Sequence, residues 1–294
     1  MKFKYINKIK ANIYIYSNKK SANILDGTYK SVYKGKSMNF ENLREYVIND
    51  DVKDIDWKAS SRCGNLLVKQ FVAEKKHNVL LLVDSGIKMK ADTNKNISKK
   101  DVSLYTAGTI GYLTVKNGDY VGITYSSNNE IIYKPFKNNL YNLESYLNEY
   151  NKIIENDNNI DINKMLEYVY KNIHKRMIIF VITDIDGINS ISERTLKEIT
   201  NMHDVLCINI NDNFMCGEEM YDIENKSYIP KLFLKDKKLN ELEKNIRENL
   251  INDNLKKLRK NKVSMTTISS NTEITNKLIK LLEEHRYASN SWFK

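Results

Sequence analysis

The sequence predicts an α/β fold: a doubly wound, mainly parallel sheet with helices on both faces. Three observations predict it. From His77 onward, short apolar runs alternate with longer segments of helical spacing. The runs NVLLLVD (78–84) and MIIFVITD (177–184) are apolar almost throughout and end in a carboxylate, as strands covered on both faces do. With only 2 prolines and 10 glycines, no Pro- or Gly-rich linker divides the 294 residues.

Taken in order, 78–84 is the first buried strand. Residues 98–116 follow as a helix, with Val102, Tyr105, Ile110 and Leu113 on one stripe and Asn117-Gly118 as its stop. Residues 119–126 read as a second strand and 130–133 as a short antiparallel edge strand. Helices are expected over 140–154 and 162–173, a buried strand over 177–183, a helix over 191–201 and a strand over 205–210. Residues 214–234 read as irregular or a hairpin. A long charged helix over 236–261, a strand over 263–268 and a helix over 272–286 complete the chain. The first 76 residues are polar, weakly periodic and rich in Tyr and Lys, and are expected to form an extension before a domain spanning 77–294.

Composition narrows the function classes. No run is long and apolar enough to cross a bilayer, and the basic N-terminus lacks the apolar stretch of a signal peptide. Three scattered cysteines, Cys63, Cys207 and Cys216, point to reduced thiols and a cytoplasmic protein. The four histidines have no metal-ligand spacing, and no Gly-x-x-x-x-Gly-Lys loop is present. Net charge is +10, and residues 1–40 hold nine lysines against one aspartate. Such a basic arm suits nucleic acid or an anionic membrane. Against that, only seven of the 47 basic residues are Arg, the better phosphate fork.

One block stands out in this Arg-poor chain. Residues 49–71, NDDVKDIDWKASSRCGNLLVKQF, place acidic residues beside Trp57 and Arg62. The expectation is an ordered loop in which Asp56 or Asp51 pairs with Arg62 or Arg44 over a largely buried Trp57. A metal-dependent hydrolase built on Asp50, Asp51 and Asp56 is the enzymatic alternative.

These residues carry a resemblance. Phe40, Arg44, Tyr46, Asp50, Asp51, Lys53, Ile55, Asp56, Trp57, Arg62, Val68, Lys69 and Phe71 resemble the signature of the domain-of-unknown-function 58 family, with Gly27, Ser31 and Gly35 upstream. Asn49 stands where the family usually has Gly. The resemblance implies a von Willebrand A-like domain and a metal-ion-dependent adhesion site at the strand ends. It also implies a protein-binding or scaffold role beside a MoxR-type AAA+ ATPase in assembling or activating other proteins. With no Ser–His–Asp or Cys–His pattern, phosphate loop or zinc motif in the sequence, catalysis is not expected.

At that site Asp84 and Asp184 match the two family aspartates, while the hydroxyl positions read Gly86, Lys88 and Ile160. Ser85 is one residue out of register. Mg²⁺ needs a near-ideal oxygen shell, so the site is expected to be degenerate: no cofactor, or at most weak Mg²⁺ on Asp84 and Asp184. Lys88 is the expected built-in cation between the two aspartates. Alternatively, Lys88 faces solvent and the aspartates cap helices.

Overall fold

The first strand of the main sheet, Asn78–Val83, is buried at all six positions, so it must be covered on both faces. In this computed structural model the described residues are 3–16, 19–33, 42–48, 50–70, 76–93, 95, 97–153, 161–212, 221–222, 227–229 and 236–292. The main sheet comprises β3 (Asn78–Val83), β4 (Tyr120–Ser127), β5 (Glu130–Lys137), β6 (Ile178–Thr183), β7 (Asp204–Ile210) and β10 (Ser264–Ile268). Its spatial order is β10-β7-β6-β3-β4-β5. All neighbours are parallel except β4 and β5. Those two are joined through Asn128 and Asn129, both at positive φ, where Asn is tolerated in tight hairpin turns. In chain order the sheet reads 3-2-1-4-5-6, the doubly wound order whose direction reverses between β3 and β6.

Two apolar layers flank the sheet. One holds Val79, Leu81, Val83, Phe180 and Ile208 beneath α4 (Lys99–Lys116), α5 (Leu140–Ile153) and α10 (Ile274–Trp292). The other holds Leu80, Leu82, Ile179 and Val181 beneath α6 (Ile162–Asn172), α7 (Ile185–Ser190), α8 (Glu193–Met202) and the end of α9 (Lys237–Lys260). Helix α9 is anchored there by Leu258 and by Lys257, whose ammonium caps the carbonyls of Ile188, Asn189 and Ile191.

The N-terminus holds more structure than its weak periodicity suggests. Helices α1 (Lys4–Tyr16) and α2 (Lys19–Tyr33) join the first layer through Tyr5, Ile6, Ile9, Ile13, Leu25 and Tyr29. Two contacts explain the docking of α1. The buried Glu144 carboxylate on α5 accepts the backbone N–H groups of Lys4, Tyr5 and Ile6 at 2.7–2.9 Å, satisfying donors that a helix start leaves orphaned. Gly108 in α4 gives Ile9 its seat, since a Cβ there would lie 2.3 Å from Ile9 Cδ1. The described lysines of the first 33 residues therefore belong to folded helices rather than to an extended arm.

Residues 42–70 form a separate small unit. Strand β1 (Asn42–Glu45) pairs with β2 (Leu67–Gln70) antiparallel. Between them come a 3-10 turn, Val52–Asp54, and the short helix α3 (Trp57–Cys63). Gly64, at φ 78°, ends α3 in the left-handed conformation that glycine permits. Of the described residues within 214–234, β8 (Tyr221–Asp222) pairs antiparallel with β9 (Ser227–Tyr228). Among the described residues no helix is long and apolar enough to cross a membrane.

Candidate functional site

Three adjacent strands are each followed by a carboxylate at the same edge of the sheet. Asp84 follows β3, Asp184 follows β6 and Asp212 follows β7. The first two flank the point where the strand order reverses, the crevice in which open α/β sheets place their sites.

Each aspartate has specific partners. Asp84 accepts from the Gly86 backbone N–H at 2.7 Å and from the Thr183 hydroxyl. Asp184 is the N-cap of α7 and accepts from the Gly187 N–H at 2.8 Å. Its other oxygen accepts from the Lys99 ammonium at 2.9 Å. Lys99 is the first residue of α4 and is only 1% exposed. Its ammonium also donates to Asp212, whose second oxygen accepts from Arg247 of α9 at 3.1 Å. Arg247 in turn donates to Glu243 at 3.2 Å. A continuous network therefore runs from the centre of the sheet to α9.

Electrostatics follow this geometry. Burial, then repulsion from Asp184, raises the Asp84 carboxyl to about 6, against the opposing Thr183 and Gly86 hydrogen bonds. For Asp184, burial is outweighed by Lys99 and by the Gly187 N–H, and the acid is held below its ordinary range. Burial alone would lower Lys99, but Asp184 and then Asp212 outweigh it and hold the ammonium above its ordinary value.

Lys88 does not lie between Asp84 and Asp184. A 3-10 turn, Ile87–Lys90, carries it outward, and its ammonium donates to the exposed Asp186 at 2.9 Å. The ammonium bonded to Asp184 is that of Lys99, which sequence reasoning missed, together with Asp212; the charge of Lys88 also lowers Asp184. Ile160 lies outside the described residues. The described residues at this edge do not fit a hard divalent cation. Gly86 offers no hydroxyl. The Ser85 hydroxyl is buried and committed to Ser126, with its oxygen 2.7 Å from the carbonyl and 2.8 Å from the hydroxyl. An ammonium already bridges Asp184 and Asp212. Among the described residues no group of three or more His, Cys, Asp or Glu is arranged to hold a metal.

The signature block has its own geometry. Arg44 forks onto Asp50, with Nη1 2.7 Å and Nη2 2.5 Å from the two oxygens, and Asp50 also accepts from the Val47 N–H at 2.9 Å. The Arg44 hydrogen bonds hold the Asp50 carboxyl below its usual range. Tyr46 continues the strand pairing, its N–H donating to Leu66 at 2.9 Å. Asp51 caps the 3-10 turn through the Lys53 N–H. Asp56 caps α3 through the N–H groups of Lys58 and Ala59 and sits 3.5 Å from the Lys69 ammonium.

An Arg–carboxylate pair thus forms, but with Asp50 rather than Asp51 or Asp56. Arg62 is exposed at the end of α3. The expected burial of Trp57 is wrong: it is 62% exposed. Trp57 is the first residue of the turn that Asp56 caps and is exposed there, while Ser60 is the α3 residue that packs inward. The carboxylates Asp50, Asp51 and Asp56 are spent on an ion pair and two caps, and they do not converge on a common centre. Phe40 and Phe71 lie outside the described residues.

Residues 42–215 match the family model described as "Protein of unknown function DUF58". The chain belongs to this family. The match spans both the signature unit and the Asp84–Asp184 edge of the sheet. Among solved structures, the chain is similar to the conserved hypothetical protein BatB from Bacteroides thetaiotaomicron. The two are 13% identical, with 72% of this chain and 99% of that one covered, at a TM-score of 0.45. It is also similar to an aerotolerance-related membrane protein from Bacteroides fragilis, at 12% identity, 71% and 99% coverage and a TM-score of 0.44. A third is the SpRpn10 VWA domain, at 8% identity, 69% and 95% coverage and a TM-score of 0.35. No curated protein matches the chain at a significant level. The strand order, not these scores, establishes the architecture of this DUF58 chain.

Proposed function

We propose that this DUF58 chain is a non-enzymatic, cytoplasmic protein-binding scaffold that docks a partner on the 42–70 unit, and that the partner is a MoxR-type AAA+ ATPase. The observation that carries the docking is the display of Val47, Ile48, Val52, Trp57 and Leu66, which are between 46% and 83% exposed. They sit on a hairpin ordered by the Arg44–Asp50 fork and the Asp56 cap. Two backbone bonds, Tyr46 N–H to Leu66 and Asp56 N–H to Leu67, gather Val47, Leu66 and Trp57 around one end of that hairpin. Large apolar side chains presented by a rigid unit are characteristic of interaction sites, and Trp is the residue most often found at their energetic centre. The identity of the partner rests on the family resemblance. Asp84 is held by the Thr183 hydroxyl and the Gly86 N–H, and Asp184 by Lys99 and the Gly187 N–H, partners that suit a structural role for this edge and support the non-enzymatic reading.

The test is calorimetric titration of the chain with a MoxR-type ATPase from the same genome. Saturable binding is expected, weakened roughly 30-fold by Trp57→Ser, as for truncation of an interface anchor costing about 2 kcal/mol. Because Trp57 is exposed, the same variant should unfold within about 1 kcal/mol of the parent. Absence of binding removes the ATPase as partner. Binding unaffected by Trp57→Ser or Ile48→Ser moves the interface elsewhere.

A further inference from the structure

We infer that Lys99 is a built-in substitute for a divalent cation, an internal ammonium that holds Asp184 and Asp212 together and frees this edge of the sheet from any metal requirement. Three features carry this. First, one edge gathers Asp84, Asp184 and Asp212 behind three neighbouring strands, and close carboxylates need a positive charge among them. Second, that charge is supplied from within. The Lys99 ammonium contacts Asp184 and Asp212 together, and its attraction reaches Asp84 as well. Third, the lysine is placed by the backbone rather than by chance reach of a surface chain. Its own N–H donates to Ala91 at 2.9 Å, fixing the first turn of α4 against the loop after β3, and its side chain is 1% exposed. A surface lysine exchanges freely with solvent ions, whereas a buried one held by two carboxylates does not.

The inference is independent of where a partner docks. A bound divalent ion can dissociate, while a covalently tethered cation cannot leave. The Asp184–Lys99–Asp212–Arg247 network therefore stays assembled at any metal concentration, and α9 keeps a fixed position against the strand ends.

Thermal unfolding of the whole chain tests this, in EDTA and in 10 mM Mg²⁺ or Mn²⁺ at matched ionic strength. The parent midpoint should not move with metal. Lys99→Ala should melt lower in EDTA by about 10 °C, as expected for breaking a buried ion pair in a domain of this size. It should regain a substantial part of the loss with Mg²⁺, Mn²⁺ or methylammonium. If Lys99→Ala cannot be purified, the uncharged triple variant Lys99→Met, Asp184→Asn, Asp212→Asn takes its place. Removing all three charges together should restore a midpoint above that of Lys99→Met alone. Three results would overturn the inference: a parent midpoint raised several degrees by Mg²⁺, a Lys99→Ala variant as stable as the parent in EDTA, or a Lys99→Ala loss that no cation relieves. Failure of the triple variant to exceed Lys99→Met would do the same.

Discussion

Gly187 lies under the strand-end network, and replacing it with alanine is the most direct way to strain that network without touching a charge. A Cβ at this position would lie 2.0 Å from the Thr183 hydroxyl oxygen and 3.1 Å from the Thr183 Cβ. That hydroxyl donates to Asp84, and the Gly187 N–H donates to Asp184. Thr183 is fully buried and cannot swing into solvent. The substitution must therefore either rotate Thr183 off Asp84 or lift the first turn of α7. Overpacking of a tight site costs about 1–3 kcal/mol. A displaced hydrogen bond to a carboxylate costs about 1.5–3 kcal/mol. Exchanging Gly for Ala inside a helix returns about 0.8–1 kcal/mol. The net is a loss of about 1.5–5 kcal/mol, or a midpoint lowered by roughly 3–20 °C. Urea denaturation of Gly187→Ala, Thr183→Ala and the pair measures this as a double-mutant cycle. With Thr183 already reduced to Ala the clash has no hydroxyl to meet, so the second change should cost almost nothing. A Gly187→Ala variant within about 0.5 kcal/mol of the parent, or strictly additive losses in the pair, would refute the reasoning.

Two further perturbations follow from the buried polar groups. Glu144→Leu strips three backbone donors of their acceptor at the start of α1. A loss of about 2–4 kcal/mol is expected, with faster hydrogen exchange at the amides of Tyr5 and Ile6; unchanged exchange there would show that α1 is held by apolar packing alone. His203 is 4% exposed with neither ring nitrogen hydrogen-bonded among the described residues, and burial, then the charge of Arg176, lowers it to about 4. Its folded value lies below its unfolded one of about 6.5, so between these values the unfolded chain binds more protons. The stability tied to neutral His203 is therefore complete above about pH 6.5, falls as the pH drops through the window, and is spent near pH 4. His203→Leu should flatten the slope of unfolding free energy between pH 5 and 7 relative to the parent, and parallel curves would count against the assignment.

What the sequence made legible was whatever burial on two faces enforces. Strands β3 and β6 show as unbroken apolar runs because no position along them meets water. Helix α1 did not show. Its buried Tyr5, Ile6, Ile9 and Ile13 are interleaved with Lys and Asn, and what docks it comes from distant positions, Glu144 and Gly108. The signature block announced an Arg fork and delivered one. The choice of Asp50 follows from the caps: Asp51 and Asp56 are engaged at the starts of their turns, which leaves Asp50 to take the fork.

The largest miss, Lys88 in place of Lys99, has the same origin. Lys88 is nearer Asp84 along the chain, but a 3-10 turn aims it at Asp186. Lys99 sits behind Ser98 and before Lys100 and reads as one more solvated helix start. A signal was available, since VLCININD (205–212), like the two runs before it, leads from a strand into a carboxylate. Three such runs on neighbouring parallel strands bring three acids to one edge. The helix after the first of them must begin at that same edge, because a doubly wound sheet starts its helices where its strands end. A basic residue at the first position of that helix is therefore a cation that the topology itself delivers to the acids, whatever its distance from them in sequence.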